Sequence, residues 1–242
     1  MRQWAGKTFW LVGASEGLGR ALAVEMARAG ASLVLSARSS ERLESLATAL
    51  PGSHRVIAMD VSDAGSVRAA ADAAGPVDGL VYLAALYWPM RAQDWDPGKV
   101  EAMFDVNIAG AARVLGQTLP GMVARNRGHV VITGSLSGFR GLPGAIGYGA
   151  SKAGLMHLAE TMRMDLRGTG VEVQLVNPGF IRTRLTDKND FAMPFIMDAD
   201  RAARLFFAQM NRRSFSANFP RGFAAMFRAS QFLPDWLYYR LF

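Results

Sequence analysis

The chain of 242 residues contains no cysteine, and this absence removes several classes of function. Without thiols there are no disulfides, no zinc–cysteine centres and no thiol catalysis, and the composition fits a reducing compartment. The histidines His54, His129 and His157 show no spacing typical of metal ligands, so we expect no metal site. The sequence also suggests no Ser-His-Asp arrangement of a hydrolase.

Long apolar runs are also absent. The longest, over 80–90, is interrupted by Pro89, and none reaches the roughly 18 residues of a membrane-spanning helix. The apolar stretch Thr8–Val12 is too short for a signal segment and is interpreted as a buried first strand. We therefore expect a cytoplasmic protein. Peripheral contact with a membrane is considered below for the C-terminal tail alone.

Acidic residues are outnumbered by basic ones, 20 against 27, which gives a net charge of +7. Such a charge raises the question of nucleic acid or anionic lipid as a partner. The arginines are dispersed over most of the chain, and no nucleic-acid motif or basic tract occurs. We therefore expect a solvated basic surface and no nucleic-acid partner.

Short apolar runs alternate with helical patterns along most of the chain. Continuous apolar runs bounded by Gly, Pro, Asp or Ser are typical of parallel strands covered on both faces. They occur at Thr8–Val12, Ser32–Ser36, Arg55–Met59, Gly79–Leu83, His129–Thr133 and Val171–Val176, with an edge strand near Ser214–Asn218. Helical patterns occur at Leu18–Arg28, Glu41–Ala49, Ala64–Ala74, Lys99–Gln117, Tyr148–Arg167 and Ala199–Gln209. This order predicts an α/β fold, a doubly wound parallel sheet of about seven strands with a C-terminal helical extension.

A glycine-rich loop follows the first strand and opens the first helix. Glycines at this place let the backbone turn tightly and approach a pyrophosphate, whose charge is met by the helix N-terminus. Structural turns also use glycine, but here the preceding strand and the following helix agree with phosphate binding. The candidate cofactor-binding residues of the loop are Gly13, Ser15, Glu16, Gly17, Leu18 and Gly19.

The end of the second strand predicts which dinucleotide is bound. An acidic residue normally stands there to bind the ribose 2′-hydroxyl, but this chain has Ala37 followed by Arg38. A guanidinium pairs with a 2′-phosphate, which a carboxylate would repel. Ser36 and Ser39 are further candidate donors. The pattern favours NADP(H) over NAD(H), and the alternative is that Arg38 is only a solvated loop residue.

Tyr148 and Lys152 begin a long helical pattern and, four residues apart, share one helix face. Hydride transfer to a carbonyl leaves an alkoxide that needs a proton, and a tyrosine can supply it. A neighbouring ammonium should lower the pKa of the phenol. Ser135, just past the fifth strand, is placed to hydrogen-bond a substrate oxygen.

The spacing Gly-x-x-x-Gly-x-Gly, together with Ser135, Tyr148 and Lys152, resembles the classical short-chain dehydrogenase/reductase family from about Lys7 to Thr183. The resemblance implies a Rossmann-type fold and an NADP(H)-dependent oxidoreductase. It implies that Tyr148 is the acid/base, that Lys152 activates it and binds the nicotinamide ribose, and that Ser135 orients the substrate.

The same resemblance adds further residues. It implies that the backbone of Asn107 holds a water in a proton relay. It also implies that Asp60 contacts the adenine, although this aspartate would equally cap the next helix. The remaining cofactor-binding candidates are Val61, Ala84, Pro178, Gly179, Ile181 and Thr183.

Two departures from the family pattern affect the cofactor site. Val12 stands where the family has threonine, and Tyr82-Leu83-Ala84-Ala85 replaces the usual Asn-Asn-Ala-Gly. The amides that normally brace the sheet are absent, so we expect weaker cofactor binding or a changed pose.

We expect residues 1–242 to form a single domain in which 180–200 covers the substrate. Apolar side chains of the segments after Ser135 and Pro178 predict a hydrophobic ketone, aldehyde or secondary alcohol, unless they pack in the core. They are Phe139, Leu142, Ile146, Leu185, Phe191, Met193, Phe195, Ile196 and Met197, joined by Tyr87, Trp88 and Met90. The alternative function is that of a catalytically silent NADP(H)-binding regulator or membrane-surface protein.

Residues 219–242 form an amphipathic tail in which arginines alternate with aromatics. The last acid of the chain is Asp235, and Pro234 should split the tail into two short helices. Such a segment is typical of an interfacial helix on an anionic membrane. Alternatively, the tail packs over the substrate cleft or forms a subunit interface, since family members are commonly homo-dimers or homo-tetramers.

Overall fold

The structure, a computed structural model, describes residues 2–241. The strands are β1 (Thr8–Val12), β2 (Ser32–Ser36), β3 (Arg55–Val56), β4 (Gly79–Tyr82), β5 (Gly128–Thr133), β6 (Val171–Pro178), β7 (Ile181–Arg182), β8 (Met197–Asp198) and β9 (Ser216–Phe219). The α-helices are α1 (Gly17–Arg28), α2 (Ser40–Ala49), α3 (Ala64–Ala74), α4 (Pro97–Phe104), α5 (Gly110–Ala124), α6 (Ile146–Asp165), α7 (Ala199–Met210), α8 (Arg221–Ser230) and α9 (Asp235–Leu241). A π-helical turn over Asp105–Ala109 joins α4 to α5.

One parallel sheet of seven strands organises the fold, in the order β3-β2-β1-β4-β5-β6-β9. A separate two-stranded ladder joins β7 and β8. The prediction of a doubly wound parallel sheet of about seven strands with a C-terminal helical extension is confirmed.

Successive residues of the strands enter different cores because side chains of a strand alternate between the two faces. In β1, Leu11 belongs to the core that includes α1 and α7, whereas Trp10 belongs to the core that includes α3, α5 and α6. Both side chains are almost completely buried. The continuous apolar runs of the sequence therefore reflect a sheet covered on both faces.

Several predicted boundaries differ from the structure. β3 ends at Val56 rather than Met59, although backbone hydrogen bonds from Ile57 to Leu35 and from Met59 to Ala37 continue the pairing with the β2 side. The single helix predicted over Lys99–Gln117 is α4, the π turn and α5. The π turn carries a bond from Gly110 N to Asp105 O, which is i to i+5 rather than i to i+4.

The order of the strands places a crevice between the carboxyl ends of β1 and β4, where the chain reverses its direction of winding. Ligands of open α/β sheets bind at such a switch point. Within residues 2–241, no helix combines the length and apolarity needed to cross a bilayer.

Candidate active site

The glycine-rich loop lies at this crevice and forms the floor of a groove. Gly13 adopts φ +98°, and a Cβ built on it would lie 2.5 Å from the backbone N of Ala84. A Cβ on Gly19 would lie 2.0 Å from the carbonyl oxygen of Gly13. No side chain fits at either position, so the loop can only be built with glycine, and its backbone is left open to a ligand.

All six candidate residues of this loop line the groove, and other predicted positions line it with them. The lining also includes Val12, Ala37, Arg38, Ser39, Arg42, Met59, Asp60, Val61, Leu83, Ala84, Ala85, Leu86, Val106, Thr183 and Leu185. Pro178, Gly179 and Ile181 are not part of this lining. Pro178 pairs with Phe219 at the end of β6, and the side chain of Ile181 is buried in the core.

Arg38 is exposed at one end of the groove, with Ala37 and Ser39 beside it. The Ser39 hydroxyl is the N-cap of α2 and accepts a hydrogen bond from Arg42 N at 3.4 Å. Ser36 is buried within the sheet, where its Oγ accepts from Trp10 Nε1 at 2.8 Å. The suggestion that Ser36 donates to a phosphate is therefore wrong, because its side chain faces the core.

Arg42 was not singled out in the sequence, although it lines the same end of the groove as Arg38. It belongs to no sequence motif, and the first turn of α2 brings it to the groove. Glu16 Oε2 accepts from Arg42 Nη1 at 2.9 Å and from Arg184 Nη1 at 3.0 Å. The two guanidinium groups neutralise the one carboxylate of the phosphate loop.

The structure distinguishes the two roles considered for Asp60. The N-cap of α3 is Asp63, whose Oδ1 accepts from Gly65 N at 2.7 Å. Asp60 Oδ1 accepts instead from the backbone N and the hydroxyl of Ser62. Those hydrogen bonds, with Arg38 nearby, outweigh burial and lower the pKa of Asp60. Asp60 is thus an ionised groove residue and not a helix cap.

Tyr82 supplies a brace where the family pattern has an amide. Its ring is completely buried, and its hydroxyl donates to the carbonyl oxygen of Val106 at 2.6 Å, which ties β4 to the π turn. Burial raises the pKa of this phenol. The brace is therefore retained in another chemical form, and Ala84 and Ala85 still line the groove.

Tyr148, Lys152 and Ser135 meet beside the groove at the carboxyl end of the sheet. Tyr148 and Lys152 lie on one face of α6, with Lys152 Nζ 5.6 Å from the centre of the Tyr148 ring. Lys152 is 2% exposed, and its Nζ donates to the carbonyl oxygen of Thr133 at 2.9 Å. Ser135 Oγ accepts from Ser137 Oγ at 2.9 Å.

Burial dominates the acid–base properties of this group. It raises the pKa of Tyr148 to about 12, while an interaction with Ser135 acts in the opposite direction. Burial also lowers the pKa of Lys152 to about 7. In the protein alone, desolvation of the phenol therefore acts against the lowering of its pKa that was expected from Lys152.

Asn107 lies in the π turn and is completely buried. Its Oδ1 accepts from Leu86 N at 2.6 Å, and its Nδ2 donates to Leu86 O at 3.0 Å and to Ser151 Oγ at 2.9 Å. Ser151 Oγ in turn donates to Tyr148 O at 2.8 Å. The amide thus connects the loop after β4 with the helix that carries Tyr148.

An aromatic side chain packs against the ring of Tyr148 and is itself held by the segment after β7. Tyr87 packs edge-on against Tyr148 with ring centres 4.9 Å apart, and its hydroxyl donates to Asn189 Oδ1 at 2.7 Å. Lys188 Nζ donates to Tyr87 O at 2.8 Å and lies 4.6 Å from the centre of the Trp88 ring. Lys188 and Asn189 are therefore fastened to Tyr87, which packs on Tyr148.

Other side chains expected in a substrate pocket lie elsewhere. Met90 and Met197 are buried in cores, as the alternative interpretation held. Leu142 and Ile146 line a cavity of about 680 Å³ together with Gly149 and Ala153. Tyr148 and Lys152 are not part of its lining, but Ser137 is, and the Ser137 hydroxyl donates to Ser135 Oγ.

The tail packs against the segments on either side of the site. Phe223 of α8 contacts Phe180 at 6.0 Å and Phe195 at 5.5 Å between ring centres. Phe180 also meets Phe191 at 6.0 Å. α8 begins at Arg221 and α9 at Asp235, which confirms the split at Pro234.

Comparison with known proteins places the chain in a family. The family model of the short chain dehydrogenases matches residues 7–192. Because this match covers well over half of the chain, the protein belongs to the short-chain dehydrogenase/reductase family and is an oxidoreductase.

Individual relatives agree with this assignment. An uncharacterized oxidoreductase of Myxococcus xanthus is 37% identical, over 98% of this chain and 97% of the relative. A Burkholderia phymatum family member in complex with NAD has a TM-score of 0.86 at 27% identity and covers 94% of both chains. A Sphingobium yanoikuyae short-chain dehydrogenase in complex with NADPH has a TM-score of 0.83 at 25% identity, covering 92% of this chain and 91% of that one. These structures support a nicotinamide cofactor.

Proposed function

We propose that this oxidoreductase transfers hydride between NADP(H) and a hydrophobic ketone, aldehyde or secondary alcohol. The observation that carries the proposal is the meeting of Tyr148, Lys152 and Ser135 beside a glycine-lined groove. The groove fits a dinucleotide because Gly13 and Gly19 leave backbone where a side chain would clash.

The nicotinamide, when bound, supplies or accepts the hydride at the substrate carbon. In reduction, Tyr148 donates its phenolic proton to the carbonyl oxygen as that oxygen gains negative charge. Its raised pKa keeps the proton on the phenol at neutral pH until then. The phenolate recovers a proton from solvent, and oxidation of an alcohol runs through the same groups in reverse.

Ser135 and Lys152 support this transfer in different ways. Ser135 Oγ hydrogen-bonds the substrate oxygen and orients it toward the phenol. Lys152 has a pKa of about 7, so an ammonium forms readily once negative charge develops nearby. Asn107 positions α6 through Ser151.

The NADP(H) preference rests on Arg38, with Arg42 beside it and no carboxylate at Ala37. A charged hydrogen bond to a 2′-phosphate contributes on the order of 1.5–3 kcal/mol. Arg38→Ala should therefore weaken NADPH binding roughly 10- to 100-fold and leave NADH binding little changed. Calorimetric titration measures both affinities.

Arg182→Ala is the matched control, since Arg182 is also exposed, pairs with Asp198 and lies outside the groove lining. Equal losses of NADPH and NADH affinity in Arg38→Ala would refute the 2′-phosphate assignment. A loss in the control variant would show that net charge alone is responsible.

The substrate class rests on the apolar surroundings of Tyr148. Tyr87 packs on its ring, and Trp88 packs with Tyr148 against the cluster of Met90, Val100 and Met103. NADPH absorbance across a panel of hydrophobic, anionic and polyhydroxylated carbonyl compounds tests it. Preference for hydrophobic carbonyls is expected, and preference for sugar phosphates or polyols would contradict the proposal. NADPH binding without turnover of any carbonyl would instead indicate a regulatory dinucleotide-binding protein.

We also propose that the chain forms a homo-dimer or homo-tetramer. An apolar surface on α5 and α6, which includes Leu115, Leu119, Val123 and Leu158, supports assembly. Light scattering after size exclusion should give a multiple of 26.2 kDa. A monomer mass at micromolar concentration would contradict this part of the proposal.

A further inference from the structure

The tail has an inner side that is fastened to the protein. Arg140, just after the catalytic Ser135 segment, donates to the carbonyl oxygens of Ser230 and Leu233 and stacks 3.8 Å from the centre of the Tyr238 ring. The Tyr238 hydroxyl donates to Gly141 O at 2.6 Å, and Tyr238 is only 2% exposed. The tail is therefore docked in a defined orientation.

The outer side of the docked tail is unusually apolar. Phe232 is 87% exposed, Trp236 70% and Tyr239 74%. Met226 and Leu241 are exposed as well, so five of the twelve exposed large hydrophobic residues described lie within residues 226–241. A monomeric soluble surface does not normally collect aromatic side chains in this way, so the concentration points to a partner.

Apart from the ion pair of Asp235 with Arg140, the charge of this side is positive. Arg221, Arg228 and Arg240 are exposed on α8 and α9. The acid of the tail, Asp235, is paired with Arg140 at 2.6 Å. Trp236 and Arg240 are four residues apart and lie on the same face of α9, away from the buried Tyr238.

We propose that this outer side docks on an anionic lipid surface, with Phe232 and Trp236 in the interface and the arginines at the headgroups. Aromatic side chains next to arginine are suited to the boundary between headgroups and acyl chains. Both helices are too short to cross the bilayer and lie along it. The docking does not depend on the proposed reaction.

A second copy of the chain is the competing occupant, and charge argues against it. In a two-fold contact each patch meets an identical patch, which would bring arginine toward arginine without an unpaired acid to compensate. An anionic bilayer supplies the missing negative charge across the whole patch.

The test is flotation of the full-length protein with vesicles of phosphatidylcholine mixed with phosphatidylglycerol, compared with phosphatidylcholine alone. Binding is expected only to the anionic vesicles and should weaken with salt. Arg228→Ser with Arg240→Ser should lower the partition coefficient roughly 20- to 30-fold, about fivefold for each arginine. Trp236→Ser should lower it at unchanged net charge.

Matched variants separate docking from the general basicity of the chain. Trp95→Ser removes another exposed tryptophan, which lies between Asp94 and Asp96, and Arg68→Ser with Arg163→Ser removes the same charge from other surfaces. Both should bind vesicles almost as the wild type does, and thermal unfolding checks that every variant is folded.

Three results would overturn the proposal. The first is a wild-type protein that stays unbound to anionic vesicles at low salt. The second is an equal loss of binding in the control variants, since this would show non-specific attraction. The third is a change in oligomeric mass caused by Trp236→Ser without any vesicle binding, which would assign the patch to a contact between copies.

Discussion

Arg140→Met is expected to release the tail without unfolding the rest of the protein. The guanidinium holds the end of α8 and the turn after it through the carbonyl oxygens of Ser230 and Leu233. It also contacts Tyr238 and Asp235. Methionine keeps much of the length and apolar volume of the side chain but none of its donors.

The expected loss in the stability of the docked tail follows from how exposed each contact of Arg140 is. The Arg140 side chain is only 16% exposed, so its two bonds to carbonyl oxygens together account for most of the effect. The Asp235 carboxylate is 82% exposed, and water screens that ion pair. Stacking on Tyr238 adds on the order of 0.5–1 kcal/mol. We expect the free energy of opening the tail to fall by roughly 2–4 kcal/mol.

Limited trypsin digestion measures this opening at Arg221 and Arg228. When opening and closing are fast, cleavage follows the open population, so a change of about 2 kcal/mol accelerates it roughly 30-fold. Arg163→Met is the control on the exposed face of α6. Unchanged cleavage in Arg140→Met would refute the clamp. Equal acceleration in Asp235→Asn would show that the exposed ion pair, and not the carbonyl contacts, holds the tail.

Two further predictions concern His129 and Tyr87. Burial lowers the pKa of His129 to about 4 from 6.5, so the unfolded chain binds this proton more tightly. The free energy of unfolding should therefore fall by on the order of 2–3 kcal/mol as the pH is lowered from about 6.5 to 4. Urea unfolding of His129→Gln should show a shallower decline over the same range. A decline identical to that of the wild type would contradict this. Tyr87→Phe loses the bond to Asn189, worth about 1 kcal/mol, so KM should rise about fivefold at nearly constant kcat. The exposed Tyr239→Phe is the control, and an unchanged KM would show that the bond does not position the substrate cover.

The parallel core of the fold was predictable because apolar runs covered on both faces leave a direct pattern in the sequence. The break between α4 and α5 was not, since one helical periodicity runs through Val106 and Asn107. The π turn depends on tertiary hydrogen bonds. The Tyr82 hydroxyl donates to Val106 O, and Asn107 both accepts from Leu86 N and donates to Leu86 O. Helix propensity is a local property of the sequence and does not include such bonds.

In the candidate site too, some features were predictable from the sequence and others were not. The glycine loop, Arg38 and the group of Ser135, Tyr148 and Lys152 were found from residue type and spacing. Arg42 was missed because only the winding of α2 brings it to the groove. The rise in the pKa of Tyr148 was missed because it comes from burial, which sequence spacing does not give.

Tyr148→Phe, assayed for both chemistry and cofactor binding, tests the central proposal most directly. The phenol supplies a proton and not affinity, so kcat for the preferred carbonyl should fall by about 10²- to 10⁴-fold. NADPH affinity, measured by calorimetry on the same sample, should stay unchanged. A variant that keeps near wild-type kcat would contradict the assignment of Tyr148 as the acid/base of this oxidoreductase.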